Sequence, residues 1–118
     1  MMVKTLLALL LVWTWAFPLL AQTATFSLDH NVFNPAKDNV VTSVFSASYS
    51  GNAKLSIYNS AGEWIETIFQ TTPVRASVPV TATWNGKTPS GQKVTAGIYI
   101  FHLALELGSY DKRLVVLQ

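Results

Sequence analysis

Apolar and polar residues alternate in short runs along most of the chain, with the period of two that is typical of strands with one buried face. Turn-forming residues, mainly Gly, Asn, Pro and Ser, separate the runs, and residues 22–118 contain no useful stretch of helical period. The runs predict these strands: Phe26–Leu28, Asn39–Tyr49, Ala53–Tyr58, Glu63–Phe69, Val78–Trp84, Ile98–Leu107 and Tyr110–Leu117. We therefore expect an all-β fold, an antiparallel β-sandwich of about seven strands.

Two segments depart from simple alternation. Ile65 and Ile68 cannot share one face of an ideal strand, which predicts a β-bulge between them. The stretch Gln70–Ser77 is polar and contains Pro73, so we expect a loop there. Trp84 ends an alternating run on its apolar side, and we expect it to be buried in the core.

The first residues have the pattern of a secretory signal peptide. A basic Lys4 precedes the apolar run Leu6–Trp15, Pro18 follows, and Ala21 offers a small residue for cleavage. Cleavage there removes residues 1–21 and leaves one domain, 22–118, of 97 residues (118 − 21). The alternative is an uncleaved anchor, because the apolar stretch Thr5–Ala21 has 17 residues (21 − 5 + 1), the lower limit for a spanning helix. We expect export to the periplasm, the cell surface or the medium.

Composition excludes several classes of function. The formal net charge is only +2, and the Lys and Arg residues are scattered, so nothing favours nucleic-acid binding. The chain has no Cys, which excludes thiol catalysis, thiolate metal sites and disulfides. The exported domain must therefore be stabilised by packing alone.

No catalytic or metal-binding pattern stands out. His30 is expected to be solvated in a turn, and His102 to be a partly covered strand residue, since neither has a second ligand at metal spacing. Asp29-x-Asn31 begins like a calcium loop, but Phe33 occupies the next ligand position. The sequence also lacks a Gly-x-Ser-x-Gly elbow. We expect a non-enzymatic domain without cofactor or metal.

Four blocks of residues carry a resemblance to a known family. They are Asn31-Val32-Phe33-Asn34-Pro35-Ala36, the stretch from Leu55 to Ile65 containing Tyr58-Asn59 and Gly62, the stretch from Trp84-Asn85-Gly86 to Gly97-Ile98-Tyr99, and the basic-then-aliphatic Lys112–Leu117. In this order and spacing, they resemble the FlgD/Vpr-type immunoglobulin-like (Ig-like) domain, and less closely the C-terminal sorting domains of type IX secretion. The resemblance implies an Ig-like sandwich over residues 22–118, in which these motif positions carry the fold and no chemistry.

Candidate contact residues come from two places. Trp64 alternates away from the core position Ile65, so it is a candidate for an exposed aromatic that binds a protein or a sugar; the alternative is that it covers the sheet edge or packs on Tyr58. If Lys112–Leu117 forms an edge strand, Val115, Val116 and Leu117 present unpaired amides for strand addition by a partner or a second copy.

These observations favour an exported, non-enzymatic module for protein–protein assembly at the cell envelope or in an extracellular structure. Self-association through sheet edges is a further possibility, and membrane contact is expected only during export. Two alternatives stay open: a sorting or anchoring domain of the type IX kind, and a carbohydrate-binding module that uses Trp64.

Overall fold

The computed structural model describes residues 24–118, so the signal peptide predicted for residues 1–21 lies outside the described residues. Eight strands are present in the described part: β1 (Ala24–Leu28), β2 (Val32–Phe33), β3 (Val41–Ala47), β4 (Gly51–Asn59), β5 (Trp64–Val74), β6 (Val80–Trp84), β7 (Gly97–Leu105) and β8 (Gly108–Val116). The predicted all-β class is confirmed. Within residues 24–118 no helix is long and apolar enough to cross a membrane.

The strands form two sheets. The small sheet has the order β1-β3-β6, and the large sheet has the order β2-β8-β7-β4-β5. All pairs are antiparallel except β2 with β8, which are parallel. The chain therefore passes from the small sheet to the large sheet between Leu28 and Val32, and this short crossover supplies a strand that the sequence pattern did not predict.

Alternation places one face of each sheet in the core. On β3, Val41, Ser43, Phe45 and Ala47 are buried, while Val44 between them is exposed on the outer face. The remaining core residues come from the other strands: Phe26, Phe33, Ala53, Leu55, Ile57, Val74, Ala82, Trp84, Tyr99, Phe101, Leu103, Leu114 and Val116. Burial of this apolar surface is the main source of stability in a domain without disulfides.

The β4–β5 pair is irregular. Leu55 pairs with Phe69 and Ser56 with Thr67, which leaves Ile68 as an extra residue, and a second shift leaves Ile65 extra before Trp64. Each extra residue rotates the strand locally, and as a result both isoleucines pack against the core. The predicted bulge is thus present as two register shifts.

The loop predicted for Gln70–Ser77 is wrong over residues 70–74, because β5 continues to Val74. Pro73 lies where the pairing shifts between Gly51 and Ala53, at the outer edge of the large sheet. An edge strand tolerates proline because one side of the strand needs no amide donor.

Trp84 lies in the centre of the core, as predicted. Its side chain is 2% exposed and its ring centroid lies 5.7 Å from that of Tyr99 and 5.9 Å from that of Phe101. The indole Nε1–H donates to the backbone carbonyl of Lys87 at 2.9 Å. Trp84 therefore fills the centre of the core and also holds the loop after β6 in place through Lys87.

Candidate functional site

A row of large side chains crosses the outer face of the large sheet. Trp64 on β5 is the cross-strand partner of Tyr58 on β4, Tyr58 is the partner of Ile100 on β7, and Ile100 is the partner of Arg113 on β8. Cross-strand partners share one face of a sheet. Because the adjacent positions Ile57 and Phe101 are buried in the core, this row faces away from the core.

A second row of apolar residues lies beside it. Ile98 on β7 pairs with Val115 on β8, and Val115 pairs with Val32 on β2. Ile98 is 42% exposed and Val32 is 44% exposed. We define the apolar stripe as the members of both rows other than Arg113: Trp64, Tyr58, Ile100, Ile98, Val115 and Val32.

Trp64 is 51% exposed, which is more than either Ile98 or Val32. Its indole Nε1–H donates to the Thr67 hydroxyl at 2.9 Å, and that hydroxyl shares a second hydrogen bond with Ser56 at 3.1 Å. The ring is therefore held in a defined orientation while about half of its surface stays accessible. A tryptophan fixed in this way loses little entropy when a partner packs on it.

A polar row borders the apolar stripe. His102 Nδ1 lies 2.5 Å from Asp111 Oδ1, and the His102 ring stands edge-on to Tyr58 with the centroids 6.1 Å apart. The expectation of a partly covered strand histidine is therefore confirmed for His102. His30, expected to be solvated, is instead half-buried and lies 2.8 Å from Asp29 Oδ1.

The predicted open edge at Val115–Leu117 is wrong. The amide of Val115 donates to the carbonyl of Asn31 at 2.9 Å, and that of Leu117 donates to the carbonyl of Phe33 at 2.8 Å. Strand alternation turns the amide of Val116 toward β7, and its side chain is 2% exposed. The short strand β2 covers this edge, whereas the side chains of Val115 and Leu117 remain accessible at the surface.

The opposite edge of the large sheet is also partly protected. The amide of Thr67 on β5 donates to Glu66 Oε1 at 2.8 Å. This N–H is therefore already bonded and is not free to pair with a strand that a partner adds to the sheet. Charged side chains and proline are the usual means of protecting edge strands, and β5 has both Glu66 and Pro73. The accessible chemistry of this sheet therefore lies on its outer face more than on its edges.

Among the described residues, acidic and histidine side chains form two small groups, His102 with Asp111 and His30 with Asp29 and Asp38. Within residues 24–118 no group of three or more His, Asp or Glu side chains is placed to hold a metal ion. His102 and Asp111 contact each other on the open face of the large sheet, where water has free access. In the described part of the protein, this face is therefore characterised by its aromatic, aliphatic and polar rows.

A family model described as the FlgD Ig-like domain matches residues 21–109. The chain belongs to the FlgD Ig-like domain family. The match ends shortly after β8 begins, and the structure adds the rest of β8 to the same sheet. Ig-like domains of this kind are typically non-catalytic.

Solved structures share this Ig-like fold. Dimeric latent PorU from Porphyromonas gingivalis matches with a TM-score of 0.59 and 18% identity, over 81% of this chain and 9% of PorU. PorZ from the same organism, an essential surface component of the type IX secretion system, matches with a TM-score of 0.53 and 19% identity, over 79% and 11% of the two chains. A β-glucosidase from Erythrobacter marinus, EmGH1, matches with a TM-score of 0.52 and 9% identity, over 82% and 15%.

These likenesses are limited to one domain of each larger protein, since the chain spans at most 15% of the neighbours' length. At such identities they show the fold alone. A search of curated proteins finds no significant match.

Proposed function

We propose that this chain is an exported, non-enzymatic Ig-like module that assembles with another protein through the outer face of its large sheet. The single observation that supports this proposal is the composition of the row Trp64, Tyr58, Ile100 and Arg113. Tryptophan, tyrosine and arginine are the residue types that most often dominate the binding energy of protein interfaces. The adjacent Ile98, Val115 and Val32 extend the apolar part of the surface.

Contiguous exposed apolar surface of this kind is costly to leave in water and usually marks an interaction site. The outer face of the small sheet is a useful contrast. Its exposed positions on β1, β3 and β6 are hydroxyl-bearing apart from Val44, and they include Thr25, Ser27, Thr81 and Thr83. The two outer faces therefore differ in chemistry, and only the large sheet combines aromatic, aliphatic and guanidinium groups.

Position-specific photo-crosslinking tests the proposal. A photoreactive amino acid replaces Ile98 within the apolar stripe, and a matched control replaces Thr81 on the small sheet. In the cells that produce the protein, we expect one discrete protein adduct from position 98, its loss when Trp64→Ala is added, and no such adduct from position 81. Equal adducts from both positions, or none from position 98, would contradict the proposal.

Carbohydrate binding by Trp64 is tested in parallel on a glycan array with the mature domain. The indole N–H of Trp64 is already donated to Thr67, so it is not free to bind a sugar hydroxyl. We expect no specific glycan signal. A glycan signal that Trp64→Ala abolishes would replace protein assembly with sugar recognition.

A sorting or anchoring role of the type IX kind is the second candidate. It is supported by the fold shared with PorU and PorZ, the latter being a component of that secretion system. Fusion of residues 22–118 to the C-terminus of a periplasmic reporter tests it in a bacterium that has the system. Reporter at the cell surface that disappears in a secretion-deficient strain would favour sorting, whereas retention in the periplasm would exclude it.

A further inference from the structure

Two lysines face each other in the loop between β6 and β7. Lys87 and Lys93 form an isolated antiparallel bridge. Two backbone hydrogen bonds flank the bridge: Val94 N–H to Gly86 O at 3.0 Å and Thr88 N–H to Gln92 O at 2.8 Å. This pattern defines a non-hydrogen-bonded pair, in which the two Cα atoms approach to about 4.5 Å and the side chains share one face. Like charges placed directly opposite each other are destabilising.

The loop that presents this lysine pair is held in place by the core. The indole of Trp84 binds the carbonyl of Lys87 at 2.9 Å, and the amide of Lys87 donates to Asn85 Oδ1 at 3.1 Å. Gly86 has φ +78°, and a Cβ added there would lie 2.8 Å from a ring carbon of Phe33. The backbone that carries the two lysines is therefore fixed, and it keeps their Cα atoms opposite each other.

The lysine pair lies on the wall of a cavity of about 470 Å³ at one end of the sandwich. Pro35, Val94 and Leu117 contribute apolar surface to the same cavity, and Leu117 is 42% exposed. The site thus combines two positive charges with an apolar wall.

Neither lysine of the pair forms an ion pair with a described residue. Among residues 24–118 the ion pairs involve His30 and His102, and none involves either lysine. Asp38 also lines the cavity, but its Oδ2 accepts the amide of Asn34 at 2.9 Å and lies 3.8 Å from His30 Nε2. An anion placed between the two lysines would relieve their repulsion and gain two charge-assisted hydrogen bonds.

We propose that Lys87 and Lys93 bind a carboxylate side chain of a protein partner, with a neighbouring apolar side chain of that partner packed on Val94 and Leu117. The apolar wall favours an acidic peptide segment over an anionic sugar, because a sugar ring would leave Leu117 and Val94 without an apolar counterpart. This inference deepens the proposed assembly function and rests on it. The lysine pair shares no residue with the apolar stripe, so the two surfaces are tested separately.

The direct test is a titration of the ¹⁵N-labelled mature domain with two capped peptides, Gly-Glu-Leu-Glu-Gly and Gly-Gln-Leu-Gln-Gly, at low salt. We expect amide shifts confined to the residues around the cavity, 33–39, 85–94 and 116–118, with the acidic peptide and much smaller shifts with the neutral one. The double variant Lys87→Gln/Lys93→Gln should weaken binding about tenfold or more, as loss of charged hydrogen bonds does. The matched control Lys112→Gln removes an exposed charge elsewhere and should leave binding unchanged.

Stability of the free domain provides a second readout that needs no ligand. Lys93→Glu replaces a like-charge pair with an opposite-charge pair, and we expect Tm to rise by about 1–4 °C at low salt and by less at high salt. Lys112→Glu should not reproduce this gain. A Tm for Lys93→Glu at or below that of the unchanged domain would show that the lysines do not repel each other, and would overturn the inference.

Two further ligands separate the possible anions. Inorganic phosphate that binds as well as the acidic peptide would show a general anion site without peptide preference. A uronic acid tetrasaccharide that binds more tightly than the peptide, and loses binding in the double lysine variant, would assign the site to an anionic sugar. Either result overturns the peptide assignment, whereas the crosslinking from position 98 tests the assembly function independently.

Discussion

Replacement of Trp84 tests how this small domain is stabilised without disulfides. The side chain is 2% exposed, contacts the rings of Tyr99 and Phe101, and donates one hydrogen bond to Lys87. Trp84→Ala removes the whole indole and leaves a cavity, which typically lowers the free energy of unfolding by about 3–5 kcal/mol. Because domains of this size have a total of about 5–15 kcal/mol, the variant should lose a large fraction of its stability.

A second variant, Trp84→Phe, separates the contribution of packing to this loss of unfolding free energy from that of the hydrogen bond. Trp84→Phe keeps an aromatic ring in the core but leaves the Lys87 carbonyl without its donor, at a cost of about 1–3 kcal/mol. The matched control is Trp64→Ala, which removes the same side chain from a half-exposed position and should cost less than about 1 kcal/mol. We therefore expect Trp64→Ala to be the most stable of the three variants, Trp84→Phe to be intermediate and Trp84→Ala to be the least stable.

Urea unfolding of the mature domain measures these values, followed by far-UV circular dichroism and by the fluorescence of the remaining tryptophan. With about 4–8 °C per kcal/mol for a domain of this size, Trp84→Ala should lower Tm by about 12–40 °C. A loss below about 1 kcal/mol, or a cost for Trp64→Ala equal to that for Trp84→Ala, would refute the assignment of Trp84 as the central core residue.

Three further predictions concern the turns and the N-terminus. Gly86→Ala should lower the free energy of unfolding by about 2 kcal/mol or more, because its Cβ would lie 2.8 Å from Phe33 at φ +78°. Gly91→Ala, with φ +88° and no atom within 4 Å, should cost only the backbone strain of about 1–2 kcal/mol. Thermal melts of the two variants compare these losses. Asn59→Ala removes an Oδ1 that accepts two amides of its own turn and should cost about 1–2 kcal/mol in urea unfolding, with Asn59→Asp retaining most of the stability. Mass spectrometry of the exported protein should find Gln22 at its N-terminus; intact Met1 in the envelope would favour the anchor.

Much of the sandwich could be predicted because its strands alternate regularly. On β3 and β7 each buried residue is followed by a more exposed one, so the core face is readable from local pattern. The bulge near Ile65 and Ile68 could be predicted for the same reason, since two large aliphatics at an odd spacing need an extra residue between them to reach one core.

The parts that escaped prediction depend on distant partners. The two-residue strand β2 has no pattern of its own, and it exists because Val115 and Leu117 donate to Asn31 and Phe33 from the other end of the domain. Likewise, the exposure of Trp64 followed from alternation, but its alignment with Arg113 requires the registers of three strand pairs. Such registers are set by packing that the local sequence does not encode.

The lysine pair escaped prediction for a related reason. In the sequence, Lys87 and Lys93 are two scattered charges, because six positions separate them. Two backbone hydrogen bonds, Val94 N–H to Gly86 O and Thr88 N–H to Gln92 O, bring the two lysines opposite each other. These bonds form only because the turn residues between Thr88 and Gln92 reverse the chain. A cross-strand charge pair in a loop becomes visible only when the loop geometry is known.

The parallel pairing of β2 with β8 has a mechanical consequence. A force that pulls the segment before β2 away from the segment after β8 acts along these strands in opposite directions. The two hydrogen bonds from Val115 and Leu117 are then loaded in shear, so they must break together instead of one after the other. The β2–β8 pairing therefore resists separation of these two segments by shear, even though β2 is only two residues long.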